Sequence, residues 1–78
     1  NLFTAQSGQC NGCWNEMPIV DLEIDHIVPR SKGGGDYMEN FQLLCGNCNQ
    51  IKGNRPMEYL RTKIRKRRET LGIVTFGE

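Results

Sequence analysis

Phe41-Gln42-Leu43-Leu44-Cys45-Gly46-Asn47-Cys48-Asn49 decides the fold of this chain. Phe41 to Cys45 is apolar and short, as a buried strand is. Cys45-x-x-Cys48 then curls the backbone so that two thiolates face one point. Asn49 to Gly53 reads as a short helix that Gly53 ends. Strand, chelating turn and helix follow one another without a spacer.

A second chelating turn, Cys10-x-x-Cys13, lies upstream. The two turns together complete a tetrahedral shell of four sulfurs, a donor set that suits zinc. The alternatives are two disulfides or a four-thiolate iron site for electron transfer. Nothing in the sequence signals export, so metal ligation is the better reading than disulfides. Such a shell leaves no open coordination position, so its metal is structural. A chain of 78 residues needs such a staple, because a domain this small buries only about 60% of its unfolded surface. Zinc binding in finger peptides contributes about 10–16 kcal/mol, comparable to the whole stability of a domain.

Between the turns, Val20 to Ile27 alternates apolar Val20, Leu22 and Ile24 with acidic Asp21, Glu23 and Asp25. That period of two predicts a strand with one buried face. Pro29 closes it, and Arg30 to Glu39, with Gly33-Gly34-Gly35-Asp36, reads as a loop. The two strands then form a hairpin. The glycines are a flexible loop rather than a phosphate cradle, since no P-loop Lys-Ser/Thr follows them. Leu2 to Ser7 suits a short helix ended by Gly8. Asn54 and Pro56 open a further helix over about 56–70, with Met57, Leu60 and Ile64 on one face. Residues 73–76 fit a small strand or a docked tail. Trp14, Phe41, Leu43 and Leu44 are read as packing around the core and metal site. The fold class is therefore small α+β, a single domain over 1–78 with its core at about 6–53.

No apolar run approaches the roughly 18 residues that span a bilayer, and no membrane contact is expected. Reduced cysteines and the lack of a secretory signal suggest the cytoplasm. The chain opens at Asn1 rather than Met, which suggests a fragment of a longer protein whose other domains are possible partners. Charge is uneven. Residues 1–29 hold Glu16, Asp21, Glu23 and Asp25 and no base, whereas residues 30–78 hold all ten Lys and Arg. A basic half suggests a polyanionic partner. Arg61, Lys63, Arg65, Lys66, Arg67 and Arg68 crowd the last helix, as contacts to a DNA or RNA backbone would.

The chain has one histidine, in Asp25-His26-Ile27-Val28-Pro29. This segment, Gln6-Ser-Gly-Gln-Cys10-x-x-Cys13 before it, and Gly33-Gly34 and Asn40-Phe-Gln-Leu-Leu-Cys45-x-x-Cys48-Asn49-x-x-Lys52 after it, together resemble the HNH nuclease family. The resemblance covers about Gln6 to Gly53. It implies a ββα-metal fold, a hairpin and helix wrapped around one metal ion, beside a four-cysteine structural zinc. It implies that Asp25 and Asn49 are ligands of a catalytic metal. It implies that His26 is the general base and that Asn40 holds the hairpin loop and helps to orient His26. The last position of the family pattern is usually His; here it is Asn49, a His-Asn-Asn variant.

The residue types suit hydrolysis of a phosphodiester. A cation can stabilise the departing oxygen and fix the phosphate. Asp25 and Asn49 offer hard oxygens, which favour Mg²⁺ or Mn²⁺. Imidazole titrates near neutrality and suits proton removal from water. Because Asp25 and His26 are neighbours on a strand, their side chains meet one site only if the chain bends there. Lys52 and Arg55, just past Asn49, are expected to reach phosphates, as are Arg61, Arg65 and Arg68. The expected activity is a metal-dependent endonuclease acting on DNA, with RNA not excluded. The competing readings are a zinc-stabilised nucleic-acid-binding module that does not cut, and the iron protein.

Overall fold

The computed structural model describes the backbone of residues 1–76 and the side chains of residues 1–68. Helix α1 (Leu2–Ala5) is followed by strand β1 (Leu22–His26), strand β2 (Phe41–Cys45), helix α2 (Gly46–Lys52) and helix α3 (Met57–Phe76). β1 and β2 pair antiparallel, with Leu22 opposite Cys45 and His26 opposite Phe41. Hairpin and following helix make the ββα unit that the sequence predicts. Among the described residues no helix is long and apolar enough to cross a membrane.

β2 is the centre of the molecule. Gln42 to Cys45 are all buried. One edge pairs with β1, and the other is closed by the N-terminal segment. The Gln6 amide donates to the Leu43 carbonyl at 3.1 Å and accepts from the Leu43 N–H at 2.8 Å. The Asn11 N–H adds a bond to the same carbonyl at 2.9 Å. These bonds satisfy backbone groups that an open edge would leave exposed. The core cluster is Cys10, Leu22, Leu43, Leu44, Cys45, Cys48 and Leu60. Cysteines from both chelating turns thus lie in the same cluster as the aliphatic side chains.

Four expectations need correction. β1 starts at Leu22, because Ile19–Asp21 form a 3-10 turn after Pro18. Its apolar alternation does not mark a buried face: Ile24 is 67% exposed and Val20 85% exposed. A two-stranded sheet has only a small interior, and Leu22 alone of that set reaches it. α2 begins at Gly46 rather than Asn49, with Cys45 as its cap, its sulfur accepting the Cys48 N–H. Residues 73–76 continue α3 rather than forming a strand, and the packing of their side chains lies outside the described residues.

The hairpin loop is ordered. Asn40, 4% exposed, accepts the Val28 N–H through Oδ1 at 2.9 Å and donates Nδ2 to the carbonyls of Val28 and Gly35, both at 3.0 Å. One buried amide therefore ties the start of the loop to its far side. Gly34 must be glycine, since a Cβ there would overlap the Val28 carbonyl and crowd the Asn40 amide. Gly34→Ala is expected to cost about 2 kcal/mol, lowering the melting temperature by roughly 10 °C. A calorimetric or circular-dichroism melt checks this, and an unchanged melt would mean that the loop does not pack on Asn40.

Candidate active site and metal centre

The four cysteine Sγ atoms lie within 4.8 Å of one another. A tetrahedral shell with bonds near 2.3 Å has sulfurs about 3.8 Å apart, so the cluster fits a single metal ion. Backbone amides support it: Gly12 and Cys45 both donate to the Cys10 sulfur at 3.2 Å. Burial opposes ionisation of Cys10, but amides of Cys45, Cys13 and Gly12 outweigh it and lower its pKa to about 7. Burial raises Cys13, and burial with the neighbouring sulfurs of Cys10 and Cys45 raises Cys48. A shared cation is what relieves that mutual repulsion. All four cysteines are free thiols.

A second centre lies at the end of the hairpin. Asp25 and His26 from β1, Asn49 from α2 and Asn54 after it line one groove of about 340 Å³. The chain bends at Ile27 and Val28, just past His26. Neighbouring strand residues thereby face one groove, and α2 supplies Asn49 from across the fold. Ile24 and Arg30 also line it, which accounts for the exposure of Ile24.

The Asp25 carboxylate is firmly held. Its Oδ2 accepts Gln42 Nε2 at 3.0 Å and pairs with Lys52 Nζ at 3.0 Å. Gln42 sits directly opposite Asp25 in the sheet register, and its own Oε1 accepts from Asn11 at 2.6 Å. Oδ1 has no partner among the described residues, so one oxygen is left to meet a cation. Asn49 donates its Nδ2 to Glu23 Oε1 at 2.5 Å, which leaves its carbonyl oxygen as a donor. The oxygen set of Asp25 and Asn49 therefore fits a hard divalent ion.

His26 packs its ring edge-on against Phe41, with centroids 5.1 Å apart. Its Nε2 lies 2.6 Å from Asp36 Oδ1. The hydrogen bond to His26, aided by the Arg30 guanidinium, holds the Asp36 carboxyl below its ordinary pKa. Asp36 is therefore an anion that only accepts.

One expected role is overturned. Lys52 is completely buried, with its ammonium on Asp25 and on the His26 carbonyl at 2.8 Å. It cannot reach a phosphate without breaking both bonds. Arg55 is exposed. Arg61 lies over the Trp14 ring at 5.3 Å, and Arg68 donates to the Cys13 carbonyl at 2.8 Å. Trp14 is accordingly a half-exposed platform for Arg61 and does not sit in the core. Glu23, Asp36 and Gln42 were missed. Each had a signal: Glu23 shares a strand face with Asp25, Gln42 is a polar residue inside an apolar strand, and Asp36 ends the glycine run.

A family model for the HNH endonuclease matches residues 10–55. The chain belongs to the HNH endonuclease family. A CRISPR-associated endonuclease Cas9 of Corynebacterium diphtheriae is 42% identical over 52 residues, covering 65% of this chain and 5% of that protein. A Cas9 of Staphylococcus aureus is 36% identical over 67 residues, covering 76% of this chain and 6% of that protein. The type IV methyl-directed restriction enzyme EcoKMcrA of Escherichia coli is 31% identical over 55 residues, covering 63% of this chain and 20% of that enzyme. The HNH chain thus spans a small part of each relative.

Burial of Lys52 generates a test. Lys52→Ala leaves Asp25 buried without its cation and should cost about 3 kcal/mol. Arg55→Ala, at an exposed site, should cost less than about 0.5 kcal/mol. Urea denaturation of both variants distinguishes the cases; equal, small losses would return Lys52 to the surface.

Proposed function

We propose that this chain is the nuclease domain of a longer protein and hydrolyses phosphodiester bonds within DNA. The observation that carries the reading is that Asp25 and His26 of β1 and Asn49 of α2 line one open groove. The catalytic ion is Mg²⁺ or Mn²⁺, held by Asp25 and Asn49; when bound it supplies charge to the departing oxygen and the phosphate. The four cysteines hold a structural zinc.

His26 acts as the general base. Because Asp36 is an anionic acceptor on Nε2, the proton of the neutral ring belongs on Nε2. Nδ1 is then the atom that accepts a proton from the attacking water. Asn40 fixes the loop that carries Asp36, and so holds Asp36 against the ring. Lys52 and Gln42 keep Asp25 in place without touching substrate. Arg55 and the basic face of α3 contact the backbone of DNA. By their names the relatives are CRISPR-associated endonucleases and a methyl-directed restriction enzyme, and the restriction enzyme in particular supports DNA as the substrate over RNA. Four free thiolates suit a reducing compartment such as the cytoplasm.

Plasmid cleavage by the purified chain and by His26→Ala, with added Mg²⁺, Mn²⁺ or neither, tests the reading. Wild-type chain should nick or linearise DNA only with added metal. His26→Ala should lose at least about 100-fold, the usual contribution of a positioned base, with an unchanged melt. Retained cleavage by the variant would remove His26 as base. Asn49→His should keep some activity and shift the metal preference; an unaltered metal profile would remove Asn49 as ligand. Elemental analysis should find one zinc per chain, lost together with the folded state in Cys45→Ser.

A further inference from the structure

The basic residues of α3 divide between two faces. Arg61, Arg65 and Arg68 turn toward the first chelating turn, where Arg61 covers Trp14 and Arg68 binds the Cys13 carbonyl. Lys63 and Arg67 lie on the other side with Tyr59. There they join Arg55, Gln50 and Ile51 in a groove of about 860 Å³ between α2 and α3. The chain passes directly from one groove to the other: Gly53 and Asn54 line the candidate active site, and the next residue, Arg55, lines the basic groove.

The cations of this second groove are arranged in advance. Arg55 lies 4.6 Å from the centroid of the Tyr59 ring, and Lys63 Nζ lies 5.4 Å from it. Arg55 also donates to the Ile51 carbonyl. Cation–π contact limits the rotamers of both side chains, so that less conformational freedom is lost when they meet an anion. Among the described residues no carboxylate pairs with Arg55, Lys63 or Arg67. The Tyr59 ring is already taken up by cations, so the groove offers charge rather than a stacking face for a base.

We infer that the Arg55–Tyr59–Lys63–Arg67 groove carries the phosphate backbone of the DNA flanking the cut site, and that the Arg61–Arg65–Arg68 face does not. The inference rests on the nuclease reading above for its choice of DNA. A phosphodiester in the catalytic groove places the next phosphates of the same strand beside Arg55. From there a row of cations one helical turn apart follows the backbone. Such contacts give affinity and salt dependence without sequence choice.

Two charge-matched pairs separate the faces, both made in a His26→Ala chain so that DNA survives the titration. Lys63→Gln/Arg67→Gln and Arg61→Gln/Arg65→Gln each remove two positive charges and keep good helix formers. Binding of a labelled DNA duplex is followed by fluorescence anisotropy across a salt series. The Lys63/Arg67 pair should bind about tenfold more weakly near 0.1 M salt, with the salt slope reduced by about two. The Arg61/Arg65 pair should lose less than about threefold. Equal losses, or a greater loss for the Arg61/Arg65 pair, would overturn the assignment. Cleavage by the chain with His26 intact is read separately. No cutting, together with a selective loss of binding in the Lys63/Arg67 pair, would sink the nuclease reading and uphold the groove.

Discussion

Four sulfurs meeting within a few ångströms are the constraint on which the rest of this molecule depends. Cys10, Cys45 and Cys48 belong to the same buried cluster as Leu22, Leu43, Leu44 and Leu60. A metal held there would be more than a surface clip, because without it thiolates that repel one another would sit inside the only apolar cluster among the described residues. The cluster also sets the geometry of the hairpin. Cys45 ends β2, caps α2 and offers a ligand, so strand direction, helix direction and metal position are fixed at one residue. Asn49 follows one residue after the second ligand of that turn. Its approach to Glu23 across the fold is a consequence of where Cys45 and Cys48 are held.

The candidate catalytic groove then forms from parts whose own fold is settled. Asp25 is opposite Gln42 because β1 and β2 pair in one register. Gln42 reaches Asn11 in the first chelating turn, so the Asp25 carboxylate is tied through one amide to the segment that carries Cys10 and Cys13. His26 is held on two sides, by the edge of Phe41 and by Asp36. Asp36 is positioned by a loop that Asn40 closes with three hydrogen bonds. The asparagine in the middle of the family pattern thus acts at a distance on the histidine. It orders the segment that carries the histidine's partner.

Much of this was legible in the residue order. Spacing alone identified the two chelating turns, and β2 was found at its observed bounds because the mostly apolar run Phe41 to Leu44 leads directly into Cys45. What failed did so for physical reasons. Alternation in β1 was taken as a buried face, but that rule assumes a layer on which the strand packs. Here a two-stranded sheet leaves Ile24 over a groove. Lys52 was taken for a phosphate contact because it lies just past Asn49, and lysine is almost never fully buried unless it is paired. Its position carried the opposite signal: Lys52 and Cys48 are four apart on α2 and share a face, and Cys48 points inward to the other three sulfurs. The Asp36 contact is invisible to periodicity, since it joins a loop to a strand end ten residues back.

The buried Lys52–Asp25 pair is where stability and chemistry meet. Desolvating two charges is unfavourable, and such a pair stabilises little beyond what an apolar pair would. Its geometry explains why it is present. Lys52 also holds the His26 carbonyl, so one ammonium fixes both Asp25 and the backbone of the histidine at the point where the strand ends. It neutralises Oδ2 and leaves Oδ1 for a cation, which reduces the freedom of the carboxylate to turn. A replacement at Asp25 therefore disturbs folding as well as the proposed metal site, because it strands a buried ammonium. A replacement at His26 does not, since its partners Asp36 and Phe41 are exposed or half-buried. Loss of activity at His26 can be read as chemistry, whereas the same loss at Asp25 needs its melting curve beside it before it says anything about the metal.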